Sequence, residues 1–308
     1  MKPDRVALLA GGVGGAKLAH GFQQVLPAGG LSVVVNVADD LELFGLHVSP
    51  DLDTVLYTLA GLANPETGWG IAGDTFAALP LLERYGEPAW FRIGDRDLAT
   101  HVRRTRLLRD GASLTDATAA MATALGISSR ILPATDDAVR TFIGTDSGEL
   151  DFQTYFVQRG QRDEVRSVRL AGIDDARPSA AALAALADAD LVVLAPSNPI
   201  VSIGPILALP GMREALSNRP SVAVSPIVAG QALRGPADRM LGSLGHEVSA
   251  LGVARLYVGV VQRFVIDEAD AQLAPAIEAL GMQAEVRATV MRSDADRARL
   301  AEAIILNR

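Results

Sequence analysis

The stretch LLAGGVGGAK, residues 8–17, decides the fold: an apolar strand runs directly into four glycines and a lysine. Glycines let a backbone approach an anion closely and adopt positive φ. The free N–H groups and dipole of a following helix then favour negative charge. The spacing fits neither common template. A dinucleotide fingerprint wants G-x-G-x-x-G, but Gly12-Val13-Gly14-Gly15-Ala16 leads to Lys17 where the third glycine belongs. Counted from Gly11, the Walker pattern lacks both its second glycine and its hydroxyl, since Ala16 and Leu18 flank Lys17. A tight strand-to-helix turn without a ligand is the plainer explanation. Lys17 argues the other way. Lysine occurs only at positions 2 and 17, and a compact ammonium suits a phosphate better than a planar guanidinium.

Outward from this turn the chain alternates strand and helix. Val6–Ala10 reads as a buried strand, followed by a helix from about Ala16 to Val25 and a strand over Ser32–Val37. Ser49-Pro50-Asp51 gives a helix start with a capping serine, proline at the first position and an acid in the first turn. Leu191–Ala195 and Val222–Val224 are short apolar runs of the buried parallel type. Phe264–Ile266 and Val286–Val290 add strand candidates, and Asp270–Leu280 and Asp294–Ile305 helices. This alternation predicts an α/β fold, Rossmann-like and doubly wound on a mainly parallel sheet, with a core of roughly residues 1–61 and 188–308. Residues 62–187 read as a smaller inserted subdomain. It has helical patterns at Asp74–Tyr85, Asp95–Arg109 and Thr115–Leu125, and antiparallel strands at LDFQTYFV and VRSVRL.

Composition narrows the function. The 308 residues are 49% hydrophobic and 21% charged, as in a globular protein. A net charge of −8 argues against a broad nucleic-acid surface. With no cysteine, disulfides, thiolate catalysis and cysteine metal sites are excluded. The longest apolar region, LVVLAPSNPIVSIGPILALPG, is broken by prolines and polar residues, so no membrane span is expected and the cytoplasm is the expected location.

The four best strands end in AGGVGGAK, NVADD, APSNP and VSPIVAG. In an open parallel sheet, such loops converge on the ligand crevice. Gly11, Gly12, Gly14, Gly15 and Lys17 are therefore candidates for phosphate, with Ser197 and Asn198 for donor phosphate or ribose. Helix-start chemistry alone explains Asp51. Asp53, two residues later, faces another side of the helix. With Asp39 and Asp40 it offers hard oxygen ligands for magnesium, or a general base for an alcohol. In WFRIGDRDLATH, Asp95 reads as a helix cap, Arg92 as a substrate contact through its planar fork, and His101 as a structural or substrate hydrogen-bonding residue. A nicotinamide oxidoreductase would also explain a glycine turn followed by Asp39, but lacks its third glycine.

In order along almost the whole chain stand GGVGGAK, NVADD, SPDLDTVLYTLAG, GWG, GDRDLATH, LPATDD, FQTYFV, PSNPIVSIGPIL, PGMREAL, SPIVAG and GPADRM. Together they resemble the 2-phospho-L-lactate transferase family of coenzyme F420 biosynthesis. One departure is visible: Thr154 follows Gln153 where the family usually carries Glu. The resemblance implies transfer of a phospholactyl or phosphoenolpyruvyl group from a GDP-linked donor to the ribityl hydroxyl of the deazaflavin Fo, releasing GMP. It also implies a magnesium requirement, a Rossmann-like fold and a homodimer. By motif, its Fo contacts fall on Asp53 and Arg92. A non-catalytic sugar-nucleotide-binding regulator is the alternative that distant relatives suggest. On this reading Asp53→Asn stops transfer and leaves the fold intact, which turnover and circular dichroism together would check.

Overall fold

The computed structural model describes residues 3–217 and 219–306. The chain begins β1 (Val6–Ala10), α1 (Gly12–Val25), β2 (Leu31–Val35), a hairpin of β3 (Leu41–Leu43) and β4 (Leu46–Val48), then α2 (Pro50–Leu59). Next come α3 (Leu79–Arg84), α4 (Asp95–Arg109), α5 (Leu114–Ala124) and β5 (Arg130–Pro133). A small antiparallel sheet follows, β6 (Arg140–Thr145), β7 (Gly148–Asp151) and β8 (Ser167–Ala171). Then come α6 (Ala180–Asp188), β9 (Leu191–Leu194), α7 (Ile203–Ala208), α8 (Met212–Leu216) and β10 (Ser221–Val224). The rest is a hairpin of β11 (Ile227–Val228) and β12 (Gln231–Ala232), α9 (Ala237–Ser243), α10 (Ala250–Leu256), β13 (Arg263–Asp267), α11 (Ala274–Glu278), β14 (Gln283–Arg287) and α12 (Asp294–Leu306).

Seven strands form one parallel sheet in the order β14-β13-β10-β9-β1-β2-β5. Successive side chains of β1 serve opposite faces, as the pleat requires. Ala7 and Leu9 pack into a core built with α6 to α11, and Val6, Leu8 and Ala10 into one built with α1, α2, α5 and α12. The expected doubly wound α/β architecture is therefore present. From β1 the chain builds towards β2 and β5 on one side, then returns through β9 to the other. The switch point lies between β1 and β9, where the carboxyl-end crevice of such sheets opens.

Several boundaries differ from the sequence reading, each for a local reason. Helix α1 starts at Gly12 rather than near Ala16, so the glycines form its first turn. Residues 130–133, expected in the insertion, form the edge strand β5 of the central sheet, in register with Ser32–Val35. The insertion is thus partly core. The strand expected over LDFQTYFV stops at Asp151, and Thr154–Gln158 is a π-helical turn. Phe152 and Tyr155 must reach one small core with Ile143, Val201 and Met240, and a spacing of three cannot do that from a strand. Asp151 fixes the turn, accepting from the Thr154 amide at 2.9 Å and hydroxyl at 2.5 Å. The helix expected from Asp74 begins only at Leu79, because Asp74 accepts instead from the amides of Arg96 and Asp97 at 2.8 and 3.0 Å. Asp95 returns the favour, accepting from the amides of Ala77 and Ala78 at 2.9 and 3.0 Å. Each acid caps the other's helix.

Helices α1 and α12 touch at Gly21, where an added Cβ would collide with the backbone carbonyl of Arg297. Backbone cannot rotate away as a side chain can. Gly21→Ala is therefore expected to destabilise the fold by about 1–3 kcal/mol, read as a lower urea midpoint at unchanged slope.

Candidate functional site

At the switch point the two strand ends lock together. The Gly11 amide donates to Ser197 Oγ at 3.1 Å, and that hydroxyl donates to the Gly11 carbonyl at 2.7 Å. Gly12, at φ +61°, donates its amide to Asp51 Oδ1 at 2.8 Å. A Cβ on Gly11 would stand 2.5 Å from Asp51 Oδ2 and 2.7 Å from Ser202 Cβ; on Gly15 it would stand 2.8 Å from Ser197 Oγ. On Gly14 it would strike the Pro196 carbonyl. The glycines thus first make room for neighbouring chain. No side chain caps α1, and among the described residues none accepts from the amides of Val13 or Gly14. Those are the donors left for an anion.

Beside this turn lie two carboxylates joined by one amide. Asn36, just past β2, shares the two N–H of its Nδ2 among Asp39 Oδ2 at 3.1 Å, Asp51 Oδ2 at 3.0 Å and the Val201 carbonyl at 3.2 Å. Burial pushes the Asp51 carboxyl up to about 6, against its hydrogen bonds from Asn36 and Gly12. Burial and the neighbouring Asp51 charge push Asp39 well above the usual carboxylate range. Its Oδ1 is buried with no well-formed hydrogen bond, and the Thr141 hydroxyl is the donor beside this carboxylate. Gln153 fixes the backbone here, donating to the Asp39 carbonyl at 3.0 Å. Ser49, expected as a cap, makes no capping bond. Its hydroxyl donates to Asp40 Oδ2 at 2.6 Å, and His47 Nε2 lies 2.8 Å from the same oxygen.

Asp53 points elsewhere. Both its oxygens take the guanidinium of Arg104, which is fully buried on α4. His101 lies between two acids, 3.6 Å from Asp53 and 3.3 Å from Asp97, and the Tyr57 hydroxyl donates to Asp97 at 2.5 Å. Burial opposes ionisation of Asp97, yet His101 and Tyr57 hold it below the usual range. Asp53 and Arg104 compensate each other, while Asp39 and Asp51 face no cation at contact distance among the described residues.

The remaining expected residues spread around this centre. Lys17 donates to the Met291 carbonyl at 3.1 Å, and burial with the charges of Arg297 and Arg234 holds its ammonium below the usual lysine range. Asn198 turns inward: its Oδ1 accepts from the Ile200 amide at 2.9 Å. Arg92 stands apart from both acid networks. It is exposed, its guanidinium 4.3 Å over the Phe76 ring, at an open cleft with Leu79 and Trp90. Sequence reasoning missed Asn36, Asp51, Arg104 and Gln153. Only Asn36, first polar residue after a buried strand, carried a local signal.

Among the described residues no three acids or histidines group closely enough to hold a metal by themselves. The pair Asp39–Asp51 still suits a magnesium ion, which typically takes one or two carboxylates and completes its shell with water and phosphate. The orphaned Asp39 oxygen and the repulsion raising Asp39 are what a cation would relieve. Asp53, occupied by Arg104, does not suit one.

Three comparisons bear on this geometry. The family model described as 2-phospho-L-lactate transferase CofD matches residues 6–305. A 2-phospho-L-lactate transferase of Methanosarcina mazei is 41% identical over 298 residues, 97% of this chain and 98% of that one. A phosphoenolpyruvate transferase of Streptomyces griseus is 41% identical over 300 residues, 95% and 94% of the two chains. A crystallised UPF0052 family member from Bacillus halodurans superimposes with a TM-score of 0.64 at 17% identity, covering 99% of each chain, a likeness of fold.

Two stability predictions follow from the acids. The folded-state pKa of Asp51 is raised from 3.8 to about 6. Stability from this group is therefore full below about pH 4 and is lost as pH rises through about 6. Asp51→Asn is expected to remove that decline and to be more stable than the parent at pH 8, by on the order of 1–3 kcal/mol. Urea melts from pH 4 to 8 measure both. Asp53→Asn, contrary to the sequence-based expectation, should cost about 3–5 kcal/mol by stranding buried Arg104, seen in the same melts.

Proposed function

The chain belongs to the 2-phospho-L-lactate transferase family, and from that premise we propose that it transfers a phospholactyl or phosphoenolpyruvyl group from a GDP-linked donor to the ribityl hydroxyl of Fo in coenzyme F420 biosynthesis. The observation that carries this reading is the Asn36-bridged acid pair beside the Val13 and Gly14 amides at the switch point. Such an arrangement serves a phosphate and its counter-ion rather than an apolar ligand.

In the proposed step the acceptor hydroxyl oxygen forms a bond to the phosphorus bearing the three-carbon group. The bond from that phosphorus to the bridging oxygen breaks, and GMP leaves with the electron pair. Reactions of this kind depend on positioning and charge neutralisation more than on covalent help from the protein. The Val13 and Gly14 amides would hold the diphosphate, with the N-terminal dipole of α1 behind them. Asp39 and Asp51 would hold magnesium, which when bound neutralises diphosphate charge. Asp40, with Oδ2 fixed by Ser49 and His47 and Oδ1 buried without a partner, is assigned to orient the acceptor hydroxyl and take its proton once the acceptor reaches it. The open cleft at Arg92 and Trp90, apart from both acid networks, is assigned to the acceptor ring. The two named relatives differ in their three-carbon group at equal identity, so the donor is assigned by assay.

Fo incubated with magnesium and each GDP-linked donor should give a product heavier by the matching group, with GMP, detected by mass spectrometry. Asp51→Asn is expected to lower turnover at least 100-fold while staying folded, as removal of a group stabilising developing charge does. Turnover within a few-fold of the parent would remove the acid pair from the mechanism.

A further inference from the structure

The site described so far accounts for the distal phosphate, where bonds change, and leaves the nucleoside end of the donor without a partner. The glycine turn has two sides. Gly12 faces the acids, through its bond to Asp51. Val13 faces the loop Asn64–Gly70: a Cβ on Gly68 would lie 3.1 Å from Val13 Cγ1. Because the reacting phosphorus belongs beside the acids, a donor laid along the turn runs its nucleoside towards Val13 and this loop.

The loop is built firmly around one exposed aromatic. Gly68 and Gly70, at φ +78° and +70°, bracket Trp69, whose surface is 45% exposed. The Thr67 hydroxyl donates to the Trp69 carbonyl at 2.6 Å. The Gly68 amide donates to the Asn64 carbonyl at 2.9 Å, and Ala63 bridges Ile71. From across the crevice Arg234, past the β11–β12 hairpin, donates to the carbonyls of Thr67 and Glu66. Ala63 and Ile71 at the base of the loop pack against the α1–α2 core, while Thr67, Gly68 and Trp69 above them are unburied and are held by hydrogen bonds. The restrained backbone sets where the Trp69 indole stands, and an exposed aromatic face is a surface on which a nucleobase can stack. The flank is also cationic: Lys17 and Arg234 pair with no carboxylate among the described residues, and their charges act on each other.

We propose that Trp69 is the platform on which the nucleobase of the nucleoside-diphosphate donor stacks, with Arg234 pinning its loop and Lys17 and Arg234 lining the phosphate path towards it. This rests on the proposed GDP-linked donor and adds the residue that binds its base. Stacking on an aromatic is tolerant of base identity, so the platform supplies affinity and hydrogen bonds elsewhere supply discrimination.

Two measurements test it. GDP titrated into the protein should quench tryptophan fluorescence, and Trp69→Phe, which keeps Trp90, should lose the quench while still binding GDP by calorimetry. Trp69→Ala should raise the KM for the GDP-linked donor about tenfold, the scale of base–aromatic stacking. Its kcat and its KM for Fo should stay within about threefold, and Trp69→Phe should recover most of the donor KM. An unchanged donor KM in Trp69→Ala, a raised KM for Fo instead, or a quench that persists in Trp69→Phe overturns the assignment. So does a loss of self-association in Trp69→Ala at unchanged donor KM, which would make the loop a contact between copies of the chain. If the parent protein neither binds GDP nor transfers, the proposed donor fails and takes the platform with it; if it does both while Trp69→Ala matches it, the platform alone fails.

Discussion

Two carboxylates drawn out of water within reach of one amide are the constraint around which the rest is arranged. Asp39 and Asp51 come from different elements, a loop after β2 and the first turn of α2, and Asn36 donates to both. Each charge is disfavoured by burial, so the pair works against folding at neutral pH. It persists because its surroundings are over-determined. Gly11 has no side chain because Asp51 and Ser202 need its space, Ser197 ties β1 to β9, and Gln153 reaches from the insertion to hold the Asp39 backbone. Buried carboxylates that face no cation among the described residues mark where a ligand is expected to complete the balance.

The neighbouring network shows the opposite treatment of an acid. Asp53 sits two residues from Asp51, equally buried, yet fully matched by the guanidinium of Arg104. Arg104 feels Asp40 as well, so its fixed charge lies within the field of both sets. The compensated pair joins α2 to α4 and thereby fixes the angle from which Asp51 enters the site. A structural ion pair and an uncompensated functional pair thus share one helix turn. Their difference is not residue type but which face of α2 each occupies.

The periphery is organised by exchange rather than by core. Asp74 and Asp95 cap each other's helices, Arg92 stacks on Phe76, and Arg234, distant in sequence, donates to the Trp69 loop. Residues 61–92 thus keep a defined path with no fully buried side chain, through hydrogen bonds, helix ends and the part-buried contacts of Ala63, Ile71 and Phe91. Polar anchoring of this kind leaves Trp69 exposed at the surface, while Trp90 is half-buried edge-on against Phe91.

The amino-acid sequence by itself determined the parallel sheet, its helices on both faces and the crevice at the strand ends. Buried apolar runs, glycines after a strand and proline at a helix start are local signals, and local sterics enforce them. It also made Asp51 and Asp53 face different ways, since two positions on a helix differ by about 200°. Only the tertiary structure decided which of them meets the glycine turn and which meets Arg104, because that depends on the rotation of α2 against α1 and α4, set by packing many residues away. The same holds for β5 entering the central sheet and for FQTYFV turning helical. In each case several local conformations were compatible with the residues, and the one adopted is the one whose side chains found partners distant in the chain.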